Sequence, residues 1–552
     1  MKITSIPQIY RHVNRWREIL AVLSKYGLAD WLSHIDIELA KNLLKNRQGE
    51  ALARQSRERR IRLALVELGP TFIKLGQILS TRADLVGRDL ADELSHLQDD
   101  APADDPAVVR ETISAELGQS VDNLFEQFDE LPLASASIGQ VHQARLKTGE
   151  RVAVKVQHAG IERKVAIDLD IMAGLAQLAE KLPDLAAYRP QSTVAEFQRI
   201  LRRELDFERE ERNMLEFARQ FADDATVRIP TPFPELCTRR VLTMDLLEGI
   251  KVSDTTRLRE AGYDTEEVAH RGADMYLKMI FDHGFYHADP HPGNMVILPG
   301  NVLGLLDFGM VGRLDEQLRE DFEGMLLAVV GRDATGLTTI IARIGQTPAD
   351  LDFAGLSLDV AEFVSHFGNQ PADRLNLGEM LNEMTDMIRR HKIMLPGRVA
   401  LLIKVFAMLE GTSRLLNPKF SLIEVMRPHQ KKMFLRRISP KRQLKKMRRI
   451  YFELEHLVEV LPRRVLDIMQ QFESGKLDVH LVHRGLEPSV NRLVLGMLSS
   501  AIFLGSTLLL SRQVLPLLSV SVPGALGCLV SLAMGLRVLW AIRKSGNLDR
   551  RK

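Results

Sequence analysis

The sequence predicts an α+β chain with four parts: a helical N-terminal extension, a small β-rich lobe, a larger α-rich lobe and a C-terminal helical hairpin. Three observations predict it. Strand-like alternation is concentrated in "GQVHQARL" and "RVAVKVQ", residues 139–146 and 151–157, with only brief runs later. Apolar residues at helical spacing fill the chain on both sides. Two uncharged runs close it, nineteen residues at Leu493–Ser511 and twenty-three at Val514–Leu536. At about 1.5 Å rise per residue, either is long enough for a hydrocarbon core of roughly 30 Å.

The first part, residues 1–118, reads as helices. "RRIRLALVELGPTFIKLGQIL" is two helices broken at Gly69-Pro70, and Asp105-Pro106 opens another that runs to Leu117. Residues 119–425 hold both lobes, the small one from about 130 to 248 and the large one from about 249 to 425. Small residues at 134–139 head a β-hairpin that turns at Thr148-Gly149. Helices are expected at 163–182 and 191–222, strands near Val227 and at "RRVLTMDLL", and helices again at 265–283 and from 318 to 415.

Residues 426–490 read as a basic helical linker. Its segment 427–449 holds eleven Lys or Arg and no acid. Such a run reads as a solvated face, a nucleic-acid patch or an anionic-lipid patch. No aromatic interleaving suggests base stacking, so nucleic acid ranks last. Residues 491–552 hold the hairpin and a basic tail. A buried core hairpin is the soluble alternative, since Ser499, Ser500, Ser506 and Thr507 soften the first run; length favours a membrane. Arg484 and Arg492 precede the hairpin, and Arg537, Arg543, Lys544, Arg550, Arg551 and Lys552 follow or close it. The positive-inside rule then puts both ends in the cytoplasm, with Trp540 at the interface and Arg537 snorkelling towards it.

Composition bounds the rest. A chain of 552 residues exceeds what one core serves. At 45% hydrophobic and 26% charged it is globular rather than disordered. A net charge of +2 selects no partner. Two distant cysteines, Cys237 and Cys528, exclude a disulfide framework and a cysteine-based metal cluster, and fit a reducing compartment. The first twenty residues lack the continuous apolar core of a secretory signal.

The densest chemistry lies in "HADPHPGN", residues 287–294. His283, His287 and His291 recur every four residues, which on a helix would make one zinc-binding face. Pro290 and Pro292 destroy that helix, so His287 reads as a loop brace. Asp289 and Asn294 lie five apart, and "DFG" at 307–309 follows an apolar strand. Phosphoryl transfer needs an oriented nucleophile and neutralised phosphate charge. Mg²⁺ takes oxygen ligands and borrows several from phosphates. Asn294 and Asp307 fit the metal role, and Asp289 fits the group that faces the acceptor. The spacing matches a kinase catalytic loop, and DFG matches its metal-binding loop.

Lys155 stands on the alternating strand, sixteen residues after Gly139, where a kinase strand lysine grips the α- and β-phosphates. It needs a carboxylate, and "ELDFERE" at 204–210 offers four. On one helix Asp206 and Glu210 share a face and Glu204 lies well round it, which leaves the choice open. The run "ASASIG" stands where kinases carry GxGxxG, with Ala134, Ala136 and Gly139 in the glycine places. Each added Cβ restricts φ and holds the backbone further from phosphate oxygens. Lys74 is out of place among Ile73, Leu75 and Ile78, and wants a carboxylate partner.

Together these segments resemble the UbiB/AarF family of atypical kinases, associated with ubiquinone biosynthesis, over roughly residues 60–420. The carriers are "KLGQ" at 74–77, "LASASIGQVH" at 133–142, "VAVK" at 152–155, "ELDFERE", "HADPHPGN", "DFG" and "KVFAMLEGTSRLLNP" at 404–418. The resemblance implies a two-lobed protein-kinase-like fold that binds ATP and ADP with Mg²⁺ and hydrolyses ATP. It implies a nucleotide site of Ala134, Ser135, Ala136, Ser137, Ile138, Gly139, Gln140, Val141 and Lys155, with Glu210 as the partner of that lysine. It implies that Lys74, Gly76 and Gln77 lie over the active site and meet Glu204 and Asp206. The implied setting is a bacterial inner membrane with the catalytic domain in the cytoplasm. The implied partners are membrane lipids and either isoprenoid quinone precursors or quinone-biosynthesis enzymes, without nucleic acid. A small-molecule or lipid kinase is the rival enzyme, and a nucleotide-sensing scaffold without significant turnover is the rival outside enzymes.

Overall fold

The computed structural model describes residues 13–28, 55–97, 101–181, 189–348, 350–370, 376–426, 486–512, 516–517 and 520–544, with isolated positions between 428 and 466. Most of the basic run 427–449 lies outside them. The chain forms two compact units, residues 1–439 and 440–552.

The first unit opens with α1 (Val13–Lys25), which buries Trp16, Ile19 and Val22 on one face. Helix α2 (Arg57–Leu68) starts at Ser56, whose Oγ accepts from the Arg59 N–H at 3.2 Å. Gly69 then takes φ 93°, a left-handed value that a side chain would resist, and Pro70 opens α3 (Pro70–Ser80). The expected break therefore falls where glycine permits the turn and proline sets the next φ. Two short helices, α4 (Ala83–Val86) and α5 (Arg88–Ser95), pack back on α3. Gly76 allows the approach: a Cβ there would lie 2.2 Å from Leu97 Cδ1 and 2.9 Å from Leu65 Cδ1. A buried pair pins α4 to the large lobe. Arg82 donates twice to Asp84 at 2.9 Å and once to the Leu395 carbonyl at 3.1 Å, and Asp84 accepts from the Leu395 N–H at 3.3 Å.

Asp105 caps α6 (Pro106–Leu117), accepting from the Ala107 N–H at 2.8 Å, and left-handed Gly118 ends it. Such a cap contributes about 1 kcal/mol. A single turn, α7 (Val121–Leu124), leads into β1 (Phe125–Phe128), β2 (Ala134–Ser135), β3 (Gly139–Leu146) and β4 (Arg151–Gln157). Helices α8 (Ile161–Ala179), α9 (Pro190–Glu204) and α10 (Phe207–Gln220) follow, then β5 (Val227–Arg228) and β6 (Val241–Asp245). The small-lobe sheet is antiparallel in the order β1-β3-β4-β6, with β2 beside β3. Alternation sorts its residues. Val152, Val154 and Val156 pack with Val109 and Ile113 of α6, whereas Ala153 and Lys155 face the cleft.

The helix expected over 191–222 is broken. Leu205 ends α9 and Asp206, at φ −113°, begins α10. Leu205 and Phe207 are both buried, and in one helix they would point to nearly opposite sides. The kink buries both. It also removes the premise that Glu204, Asp206 and Glu210 share a helix.

The large lobe begins with β7 (Ile250–Lys251), α11 (Thr255–Glu260) and α12 (Thr265–Leu277). A π-helical turn over Lys278–His283 completes the expected helix. Four strands follow: β8 (Phe285–His287), β9 (Met295–Leu298), β10 (Val302–Leu305) and β11 (Val311–Arg313). They make a sheet β5-β10-β9-β7 and a separate β8–β11 pair. The helical remainder is α13 (Glu316–Val330), α14 (Ala334–Ile344), α15 (Phe353–Gly368), α16 (Leu377–Arg390) and α17 (Gly397–Leu416).

In the second unit, α18 (Leu486–Ser511) and α19 (Val522–Lys544) contain spans of nineteen residues each, Leu493–Ser511 and Val522–Trp540, long and apolar enough to cross a membrane. The second helix starts eight residues later than the uncharged run. Between the helices, β12 (Pro516–Leu517) pairs with β13 (Val520–Ser521). Pro516 cannot continue a helix, whereas Pro523 is tolerated in a first turn. The helices pack through small residues: Ser499 Oγ donates to the Ser531 carbonyl at 2.8 Å, and a Cβ on Gly524 would lie 2.7 Å from Leu510 Cγ.

Candidate functional site

Two elements of the small lobe each contribute one group by a separate local logic. β4 carries Lys155 on its cleft face. The first turn of α10 carries Glu210, and the break before α10 aims it at that lysine. Lys155 Nζ donates to both Glu210 oxygens, at 2.8 and 2.7 Å, and lies 3.8 Å from Asp307 Oδ2. Glu210 also accepts from the Phe308 N–H at 3.3 Å, which ties the small-lobe helix to the DFG segment. The structure thus selects Glu210 from the four acids in "ELDFERE" as the partner of Lys155. Burial opposes the lysine's charge, but Asp307 and Glu210 outweigh it and raise the Lys155 pKa. Glu210 is pushed up by burial against the pull of Lys155. For Asp307, desolvation would raise the pKa, yet Lys155, the Gly309 N–H and Lys74 hold it well below the usual carboxylate range.

The loop after β8 is held from within. Asn294 Nδ2 donates to Asp289 Oδ2 at 2.8 Å. His287 Nε2 donates to the Asp307 carbonyl, so its Nδ1 is the acceptor for the Asp289 N–H at 3.3 Å and the Tyr276 hydroxyl at 3.1 Å. His287 therefore braces the loop, and it joins the Asp289 loop to the Asp307 segment. Helix α17 adds a further tie, since Thr412 Oγ1 donates to the Pro290 carbonyl at 3.0 Å.

From the extension, Lys74 lies 3.4 Å from Glu204, both nearly buried. Gln77 lines the same cleft and donates to the Leu97 carbonyl at 3.3 Å. Asp206 begins α10, with Arg212 at 3.8 Å, and is not among the cleft-lining residues. The cleft encloses about 1840 Å³.

Only part of the alanine-rich segment faces the cleft. Ala134, Ala136, Ser137, Ile138, Gly139 and Val141 line the cleft; Ser135 and Gln140 do not. Gln140 lies on the opposite face of β3 from Gly139 and Val141. Its side chain accepts from the Asp104 N–H and meets His142 Nε2, both at 2.7 Å. The expected nucleotide contact of Gln140 thus conflicts with the period of its own strand. The loop is strapped from outside: the Ala101 N–H donates to the Ser135 carbonyl at 3.1 Å, and His158 Nε2 donates to the Ala136 carbonyl at 2.8 Å. Asp104 in turn accepts from the Ala159 N–H at 3.0 Å.

The donor set fits a magnesium ion. With its Nδ2 engaged, Asn294 keeps its carbonyl oxygen as an acceptor, and Asp307 keeps Oδ2 while Oδ1 accepts from Gly309 at 2.8 Å. Magnesium commonly takes one or two such protein oxygens and completes its shell with water and phosphate. One charged cleft residue has no role in the motif reading, although it opens the run "KVFAMLEGTSRLLNP". Lys404 of α17 enters from a helix far along the chain, and its Nζ donates to Ser80 Oγ at 3.1 Å.

Comparison with known proteins gives the family. A model of the ABC1 atypical kinase-like domain matches residues 96–341. The UbiB helical domain matches residues 360–421, and the ABC1/UbiB kinase-like C-terminal domain matches residues 478–544. A "Probable protein kinase UbiB" from Shewanella loihica is 33% identical over 415 residues, covering 74% of this chain and 75% of that one. The chain belongs to the UbiB/AarF family of atypical kinase-like proteins. A second UbiB, from Shewanella pealeana, is 32% identical over 82% of this chain and 84% of its own. An uncharacterized protein from the hydrogenase 1 5′ region of Clostridium pasteurianum is 30% identical over 97% of this chain and 100% of its own. A solved Mycobacterium tuberculosis protein in complex with erythromycin matches 66% of this chain and 92% of its own, at 22% identity and a TM-score of 0.45. The two-lobed, kinase-like fold is that of the UbiB/AarF family.

Proposed function

We propose that this UbiB/AarF protein is a membrane-anchored kinase or ATPase that binds ATP and ADP with magnesium and supports isoprenoid quinone biosynthesis. One observation carries the reading. The Lys155–Glu210 pair, Asp307 at 3.8 Å and the Asn294–Asp289 bond at 2.8 Å converge in one cleft although their residues are scattered over the chain. In this reading Lys155 holds the α- and β-phosphates, with Glu210 fixing its rotamer. Asn294 and Asp307 hold the magnesium, which supplies neutralisation of phosphate charge when bound. Asp289, oriented by Asn294 and by the His287 brace, accepts the proton of the attacking hydroxyl or water.

The alanine loop, strapped by Ala101 and His158, wraps the phosphates less closely than a glycine loop would. Lys74, Gly76 and Gln77 with Glu204 and Asp206 regulate access to the pocket. The two apolar helices of the second unit anchor the protein in a bacterial inner membrane, with the catalytic lobes in the cytoplasm. ATP hydrolysis is coupled there to the handling of lipid precursors or of the biosynthetic enzymes.

The test is nucleotide affinity of the full chain, with and without magnesium. Asp307→Asn is expected to lose most of the gain that magnesium gives the wild type, and to bind metal-free nucleotide nearly normally. Equal loss in both conditions sinks the metal assignment. In parallel, Asp289→Asn is expected to stop phosphate release in the presence of lipid vesicles while leaving MgADP binding intact. Loss of quinone in a strain carrying only Asp289→Asn checks the biosynthetic role.

A further inference from the structure

Four lysines line the cleft; Lys251 is exposed, and of the other three two have carboxylates against them. Lys155 contacts Glu210 at 2.7 Å, and Lys74 lies 3.4 Å from Glu204. Lys404 differs. Its hydrogen bond to Ser80 Oγ is 3.1 Å long, and among the described residues no carboxylate oxygen lies within 4.0 Å of its Nζ. Ser80 gives its own proton to the Gln77 carbonyl at 2.6 Å, so its oxygen is turned towards the lysine as an acceptor. An ammonium has three donors, and this contact uses one.

Placement narrows what the others await. Helix α17 turns Ala400, Ile403, Lys404, Ala407 and Met408 to the cleft, positions that share one helical face. Lys404 is the charge in an otherwise apolar strip. Burial lowers its pKa, Asp289 raises it and Lys74 lowers it, and all three residues line the same cleft. The same helix holds the Pro290 carbonyl through Thr412, so Lys404 and Asp289 are positioned by one element. A half-buried cation without a counter-charge in contact carries a desolvation cost that a bound anion offsets. Asp289, the group read above as facing the acceptor, lines the same cleft, so the anion that fits there is the terminal phosphate.

We propose that Lys404 is a ligand of the γ-phosphate, resting on the nucleotide reading above. In the transfer, the bond from the γ-phosphorus to the β,γ-bridging oxygen breaks and its electron pair leaves with ADP. The bond from the acceptor oxygen to phosphorus forms, and the acceptor's proton passes to Asp289. Lys404 stays protonated and neutralises charge on the equatorial oxygens throughout.

The experiment is calorimetric titration of the full chain in detergent with MgADP and with the magnesium complex of a β,γ-imido ATP analogue. Lys404→Met keeps length and bulk but removes the charge. It is expected to weaken the analogue about tenfold or more, as loss of a charged hydrogen bond does, and to leave MgADP within about twofold. Lys404→Arg restores most of the difference. Ser80→Ala, which removes only the orienting hydroxyl, shifts the same ratio in the same direction by a smaller factor and covers the case of a poorly folding Lys404→Met. Lys155→Met weakens both nucleotides. Lys404→Met that changes neither affinity, or both by one factor, overturns the assignment. Wild-type protein that binds neither nucleotide overturns the nucleotide reading itself, and this inference with it.

Discussion

Gly76→Ala tests whether the extension is held by close helix packing. Gly76 lies inside α3, where alanine is favoured over glycine by about 1 kcal/mol. Packing opposes this gain. The new Cβ would stand 2.2 Å from Leu97 Cδ1, 2.9 Å from Leu65 Cδ1 and 3.4 Å from Leu94 Cδ2. Carbon atoms prefer about 3.5–4.0 Å, so Leu97 must withdraw by more than 1 Å, and Leu94 beside it is fully buried. Overpacking of this kind costs about 1–3 kcal/mol. The net expectation is a loss of about 0–2 kcal/mol. Gly411→Ala is the internal reference. It also lies inside a helix, α17, but is exposed and has nothing within 4 Å of the added Cβ, so it should gain about 1 kcal/mol. Denaturation midpoints of the two variants in one detergent give the difference, about 1–3 kcal/mol, as a pure packing effect. If Gly76→Ala is as stable as Gly411→Ala, the α3–α5 contact is not tight and the reasoning fails.

Other outcomes follow from the same structure. Lys74→Ala removes the cation 3.4 Å from nearly buried Glu204, and is expected to cost more than the roughly 0.5 kcal/mol of a surface lysine while changing ATP turnover and self-labelling by γ-phosphate; a variant identical to wild type in all three means the extension does not gate the cleft. Burial raises the Cys237 thiol pKa to about 12. The neutral thiol therefore persists through physiological pH, and in a Cys528→Ser background alkylation at pH 8 should be far slower than in the unfolded chain, rising as pH approaches 12; rapid labelling at pH 8 counts against the burial. Removal of residues 486–552 should release the remainder from membranes washed with high salt; retention after the wash shows that the hairpin is not the main anchor.

The elements that were legible in the sequence are those specified by neighbours in the chain. The Gly69-Pro70 break, the Asp105-Pro106 cap and the alternation that turns Lys155 away from Val154 and Val156 are local signals, and the structure places them as read. The two-lobed fold followed from their order. The kink at Leu205–Asp206 was not legible, because it answers a tertiary demand, the simultaneous burial of Leu205 and Phe207. The resemblance puts Gln140 in the pocket as part of a continuous motif, whereas alternation along β3 turns it away from the face that Gly139 and Val141 share. The cleft position of Lys404 and the Arg82–Asp84 clasp are not legible in the sequence for another reason. Their partners, Ser80 and Leu395, are more than three hundred residues distant in sequence, and no local pattern encodes such a contact.

The strap across the alanine-rich loop limits how the cleft can open. Ala101 and Asp104 are bonded to the loop through the Ser135 carbonyl and Gln140. Leu97 lies against Gly76 at the end of the extension. Only residues 98–100 join Leu97 to Ala101, and four peptide links reach at most about 14 Å. The extension is therefore on a short leash. A partner that lifts it further than that leash allows must either tear Ala101 and Asp104 from the loop or drag the loop with them, so a pull applied to the outside of the extension reaches the alanine-rich loop of the cleft as tension in the chain.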